Sequence, residues 1–123
     1  MVRATWFEIP VVDLERAIDF YERVLLVELE RDVVDGHDAA YFPAVDGPVG
    51  AAGALMHGES YVPSADGTRV YLGVDDLEGV LERAVAAGGQ VLYPATEVAG
   101  TVVAEISDSE GNRVALQSEL DDD

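Results

Sequence analysis

Trp6-Phe7-Glu8-Ile9-Pro10-Val11-Val12-Asp13-Leu14-Glu15 aligns without a gap on Arg69-Val70-Tyr71-Leu72-Gly73-Val74-Asp75-Asp76-Leu77-Glu78. Each stretch opens with period-two alternation and passes into helical spacing, so each reads as a strand followed by a helix. The pattern beyond Leu14 and Leu77 stays in register, which marks an internal duplication of one small module. Two copies of a curved module enclose a cleft, and clefts are where small molecules bind.

Outward from these stretches, Leu14, Ala17, Ile18, Tyr21, Val24 and Leu25 form one buried helical stripe, and Leu77, Val80, Leu81 and Ala84 take the same phases in the second copy. Asp13 and Asp76 occupy N-cap positions, and Gly88-Gly89 is expected to supply the left-handed residues ending the second helix. Strands are expected over 4–11, 26–34, 38–44 and 50–57, then over 68–74, 90–93, 101–107 and 112–118. Asp46-Gly47 and Ser109-Glu110-Gly111-Asn112 are the turn signals before the last strand of each half. The chain is α+β: two βαβββ modules in tandem forming an incurved eight-stranded mixed sheet around a cleft. Module one spans about 4–58, a Gly/Ser/Pro/Asp-rich linker 58–67, module two about 68–120, and Asp121-Asp122-Asp123 is an acidic tail.

The 123 residues suffice for one domain that buries about two-thirds of its unfolded surface. Cysteine is absent, which excludes disulfides, thiolate metal sites and cysteine nucleophiles. No membrane-spanning apolar run or secretory leader is visible, so a cytoplasmic location is expected. Acidic residues number 25 against seven basic ones, all arginine, for a formal net charge of -18. Nucleic acid and anionic membrane surfaces are therefore excluded as partners, since both are bound by clustered cations. The 49% hydrophobic content argues for a folded chain despite that charge. A halophilic protein in a salt-rich cytoplasm, where a short Debye length screens the repulsion, reconciles the two; a surface that attracts cationic ligands is the alternative.

Strand alternation separates two faces. Phe7, Ile9, Leu55, Val70, Leu72, Val114 and Leu116 are expected beneath the helices, whereas Trp6, Glu8, Ala54, Met56, Arg69, Tyr71, Arg113, Ala115 and Gln117 line the cleft. Asp75-Asp76 and the Asp108 turn read as structural, at a helix start and a hairpin.

The run Val11-x-Asp13-Leu14-Glu15-Arg16-Ala17-Ile18-Asp19-Phe20-Tyr21-Glu22 and the late turn Asp108-Ser109-Glu110-Gly111-Asn112-Arg113 resemble the vicinal oxygen chelate superfamily of glyoxalase I, extradiol dioxygenases and bleomycin-resistance proteins. Trp6-Phe7-Glu8-Ile9-Pro10, Gly58-Glu59-Ser60-Tyr61-Val62-Pro63-Ser64, Gly67-Thr68 and Gly111-Asn112-Arg113 are similar to an uncharacterised glyoxalase-like branch. The resemblance implies a homodimer and, in metal-using members, a divalent ion held by His and Glu at four strand positions. Those positions here are Trp6, Ala54, Arg69 and Ala115, none of which offers a lone pair to a cation. No metal or other cofactor is therefore expected. His57 falls on the wrong parity and His37 follows a turn, so both are expected to be peripheral. Glu8, with Glu105 if its strand is in register, is the carboxylate left for a non-standard Mg or Mn site.

Two functions remain. One is a metal-free small-molecule binder using Trp6, Met56, Arg69, Tyr71 and Gln117. The other is a lyase, isomerase or dioxygenase of the superfamily, with Glu8 as general base or a non-standard metal. Arg69 either stacks on Trp6 and meets the ligand or forms an internal ion pair with Glu8.

Overall fold

The computed structural model describes residues 2–43 and 52–120. The Asp46-Gly47 turn and the Asp121-Asp122-Asp123 tail lie outside the described residues. The element order is β1 (Trp6–Val11), α1 (Leu14–Leu25), β2 (Glu30–Val34), β3 (His37–Tyr41), β4 (Ala52–His57), β5 (Tyr71–Gly73), α2 (Leu77–Ala86), β6 (Gln90–Val98), β7 (Thr101–Ser107) and β8 (Arg113–Glu119). This is βαβββ used twice. The eight strands lie in two four-stranded mixed sheets, ordered β1-β4-β3-β2 and β5-β8-β7-β6, rather than in one continuous ladder. Each module's first strand pairs in parallel with its last, setting Glu8 opposite Ala54 and Tyr71 opposite Ala115. These are equivalent positions of the repeat.

Ile9, Leu55, Val114 and Leu116 pack beneath the helices with Ile18, Tyr21, Val80 and Leu81, and Phe7 and Leu72 close the margin of this core. Phe20, outside the expected stripe, is also buried. α1 covers a wider face because α2 lies beside it, with the Arg83 Nε–H donating to the Val24 carbonyl at 3.0 Å. Val70, expected in the same layer, is only half-buried, because it precedes the short β5 and faces the seam between the sheets.

Asp13 and Asp76 cap their helices by accepting from the Arg16 and Gly79 amides. At the end of α2 only Gly88 is left-handed, with φ +97°; Gly89 is required for closeness, since a Cβ there would lie 2.5 Å from the Ser107 carbonyl oxygen. β2 begins at Glu30 and not near residue 26, because Leu26 forms a left-handed C-cap and the Glu22 carboxylate holds the Leu29 amide at 2.9 Å. β6 runs to Val98, past Pro94, because register shifts on this edge strand absorb the missing N–H. β5 is shorter than expected, although the Val70 carbonyl and Val74 amide extend its bonding to β8.

The late turn joins the modules. Asp108 accepts the Tyr21 hydroxyl at 2.6 Å, and Asn112 donates to the Pro10 carbonyl at 2.8 Å and accepts the Ser64 amide at 3.0 Å. Burial, reinforced by the Asp108 charge, holds the Tyr21 phenol well above its ordinary range. The structural reading of the Asp108 turn holds.

Candidate functional site

On the exposed face of β1, both Glu8 oxygens are engaged. Oε2 accepts the Trp6 indole N–H at 3.1 Å and Oε1 accepts the Tyr61 hydroxyl at 3.0 Å. The hydrogen bond to Glu8 also raises the Tyr61 phenol above its usual value. Trp6 meets Tyr41 edge to face at 5.8 Å. Met56 is 1% exposed, clustered with Ala39 and Ala54 beneath Tyr41 and Tyr61, so it backs this surface rather than presenting a face of its own.

On the second module the charges are arginines. β7 and β8 pair Glu105 with Ala115, which resolves the register of Glu105 and places it on the same face as Tyr71 and Arg113. Arg113 Nε donates to Glu105, and Arg69 Nη1 lies 3.4 Å from each oxygen of the same carboxylate. Both pairings expected for Arg69 are thereby corrected: its partner is Glu105, neither Trp6 nor Glu8. The residue opposite Glu105 on the intervening strand is Ala115, whose methyl leaves the guanidinium room to cross. Tyr71 and Gln117 are exposed on this sheet, and Gln117 donates to the Thr101 hydroxyl at 3.3 Å.

Of the expected site residues, Glu8 and Trp6 line two different hollows, and Met56, Arg69, Tyr71 and Gln117 line neither of these. A cavity of about 220 Å³ lies at the seam between the sheets, lined by Glu8 and Pro10 of β1, Arg113 of β8, Val62 and Ser64 of the linker and Thr68 just after it. A larger hollow of about 780 Å³ at the end of the first sheet is walled by Trp6, Tyr41 and Phe42, with Glu22, Glu28 and Glu30 at its rim. Tyr61 is missing from the residues expected on the cleft, and Arg113, expected on the cleft face, is missing from those expected to bind. Arg113 carries the right parity and a rare charge; Tyr61 sits in a loop, where no periodicity gives a direction.

Residues 3–116 match the Glyoxalase/Bleomycin resistance protein/Dioxygenase superfamily. The chain belongs to this superfamily. Among solved structures, a glyoxalase I variant from Zea mays is 25% identical with a TM-score of 0.70, covering 93% of this chain and 46% of its own. The protein thus spans about half the length of that glyoxalase I. TnmS3, an antibiotic binding protein from Streptomyces sp. CB03234, is 22% identical with a TM-score of 0.68 and coverage of 98% on both sides. A glyoxylase/bleomycin resistance protein/dioxygenase domain from Frankia sp. EAN1pec has a TM-score of 0.72 at 16% identity, covering 100% of this chain and 95% of its own. No curated protein matches the sequence.

The metal positions implied by the superfamily resemblance do not fit an ion in this member. Ala54 and Ala115 are buried methyl groups, the Trp6 indole only donates, and Arg69 is a fixed cation. Among the described residues no three His, Asp or Glu side chains gather as a metal site. His57 is exposed, and His37 lies edge-on to Tyr61 at 5.5 Å.

Proposed function

We propose that the protein is a metal-free binder of a small molecule held between its two modules, with an apolar body and an anionic or carbonyl oxygen turned toward the guanidiniums of Arg69 and Arg113, which share Glu105. One observation carries this reading: two of the seven arginines converge on the single carboxylate of Glu105, which leaves one positive charge unmatched among the described residues of this sheet face. In a chain of formal charge -18, such a concentration favours an oxygen-bearing ligand. The likeness to an antibiotic binding protein supports binding as the role. A second reading is catalysis with Glu8 as general base; it is favoured by Trp6 and Tyr61, which fix both carboxylate oxygens in direction. The physiological unit we propose is a homodimer in a salt-rich cytoplasm, since β2 and β6 are edge strands that a partner can cover.

A thermal-shift screen of apolar carboxylates and carbonyl compounds in molar salt tests the site. Arg69→Ala should abolish affinity for a hit, and Arg69→Lys should only weaken it through loss of the planar fork. Glu8→Gln should leave a binder's affinity largely intact, whereas an enzyme would lose turnover while still binding. Unchanged affinity in Arg69→Ala refutes the assignment. One equivalent of Zn, Ni, Mn or Fe retained after desalting refutes the metal-free reading.

A further inference from the structure

Two residues of opposite charge, Glu8 and Arg113, line the seam cavity and form no ion pair with each other. On the first-module wall, Glu8 is held by two neutral donors, and among the described residues no arginine or histidine lies within 4.0 Å of its carboxylate. On the second-module wall, Arg113 commits Nε to Glu105, and neither of its terminal nitrogens has a protein partner among the described residues. Glu105 already serves Arg69 as well, so the pair of guanidiniums is not neutralised. The cavity therefore has a net negative wall on β1 and a net positive wall on β8. Between them lie the apolar Ile9, Pro10, Val62 and Val70 and the hydroxyl-bearing Ser64 and Thr68.

This arrangement discriminates by charge pattern. A monoanion that reaches Arg113 also faces Glu8, and a monocation that reaches Glu8 also faces Arg113; each gains one attraction and meets one repulsion. A molecule carrying both charges gains two attractions and satisfies the terminal Arg113 donors that no described residue uses. Volume narrows the class further: about 220 Å³ is below the roughly 300–1,000 Å³ of pockets for drug-sized ligands.

We infer that the seam cavity binds a small zwitterion of amino-acid size, its carboxylate on the terminal nitrogens of Arg113 and its ammonium group on Glu8. This rests on the reading that the protein binds a ligand between its modules, and it names that ligand's chemical class. Trp6 and Tyr61 act as positioning residues, because they aim the Glu8 oxygens. Glu105 does the same for the guanidinium through Nε, leaving the terminal fork free for a bidentate carboxylate.

The test is a heteronuclear NMR titration of the intact protein at constant ionic strength with four five-carbon probes: norvaline, 5-aminopentanoate, pentanoate and pentylamine. One zwitterion should shift the Glu8, Thr68 and Arg113 amides saturably, with a dissociation constant at least about tenfold below that of either singly charged probe. Arg113→Gln should erase its advantage over pentylamine, and Glu8→Gln its advantage over pentanoate. Glu78→Gln, which makes the same charge change as Glu8→Gln but on the exposed face of α2, should change neither. Should Arg113→Gln fail to fold, Arg113→Lys should retain the preference for zwitterions at reduced affinity. Pentanoate or pentylamine binding as tightly as both zwitterions overturns the inference. If the zwitterions fail while the thermal-shift screen yields a ligand sensitive to Arg69→Ala, the zwitterion assignment falls and the binding reading stands. If neither yields a ligand, both fall.

Discussion

Glu110 sits in a hairpin turn of the second module and closes the helix N-terminus of the first. Its carboxylate accepts the Val12 and Asp13 amides at 2.9 and 2.8 Å and the Arg16 guanidinium at 2.7 and 3.0 Å. Burial alone would raise its pKa, but the bonds from Arg16, Asp13, Ser109 and Val12 outweigh it and lower the group to about 2. A carboxyl depressed in the fold stabilises it above the unfolded value near 4.3, and that contribution disappears as pH falls toward 2. With Arg16 half exposed, a contribution on the order of 2 kcal/mol is expected. Chemical denaturation between pH 5 and pH 2 should show the parent losing more stability than Glu110→Gln; parallel curves would mean that the bond is not linked to folding. The turn was legible in Ser109-Glu110-Gly111-Asn112 as a turn only. Its partners Val12, Asp13 and Arg16 lie 94 to 98 residues away, and nothing local encodes them.

At the scale of elements, two chain reversals depend on backbone that the residue types alone did not reveal. Leu26 ends α1 at φ 57°, a conformation that disfavours a side chain with a Cβ, and it is 69% exposed. Leu26→Gly should therefore raise stability by roughly 0.5–1 kcal/mol, a rise of a few degrees in melting temperature. Gly89 makes the opposite case, because its missing Cβ is occupied by the Ser107 backbone carbonyl. Gly89→Ala should lower the melting temperature, with a loss on the order of 1–3 kcal/mol from overpacking. Calorimetry of the two variants checks both; an unaltered Gly89→Ala would show that β7 can yield. Helix positions followed from periodicity and capping, since those signals are local. The extent of β2, β5 and β6 did not, because a strand ends where its neighbour stops pairing.

For the whole molecule, 25 carboxylates against seven guanidiniums set the conditions under which the fold survives. Circular dichroism from molar salt down to about 10 mM, where the Debye length reaches ~30 Å, should show cooperative loss of structure as screening fails. A fold unchanged over that range would contradict a halophilic origin of the charge.

Duplication, hydrophobic period and capping residues sufficed by themselves to determine the paired βαβββ units, the core layer built on Ile9, Leu55, Val114 and Leu116, and the parity that turns Glu8 and Arg113 toward the cleft. These properties depend on side-chain spacing along one strand or helix, which is written directly in the residue order. Only the tertiary structure decided that Arg69 joins Glu105, that Tyr61 returns from the linker to Glu8, and that Trp6 and Glu8 open onto different hollows. Those choices depend on which strands and loops come to lie side by side and on which long side chain reaches an acceptor first. Such distances come into existence only when segments far apart in the sequence pack together.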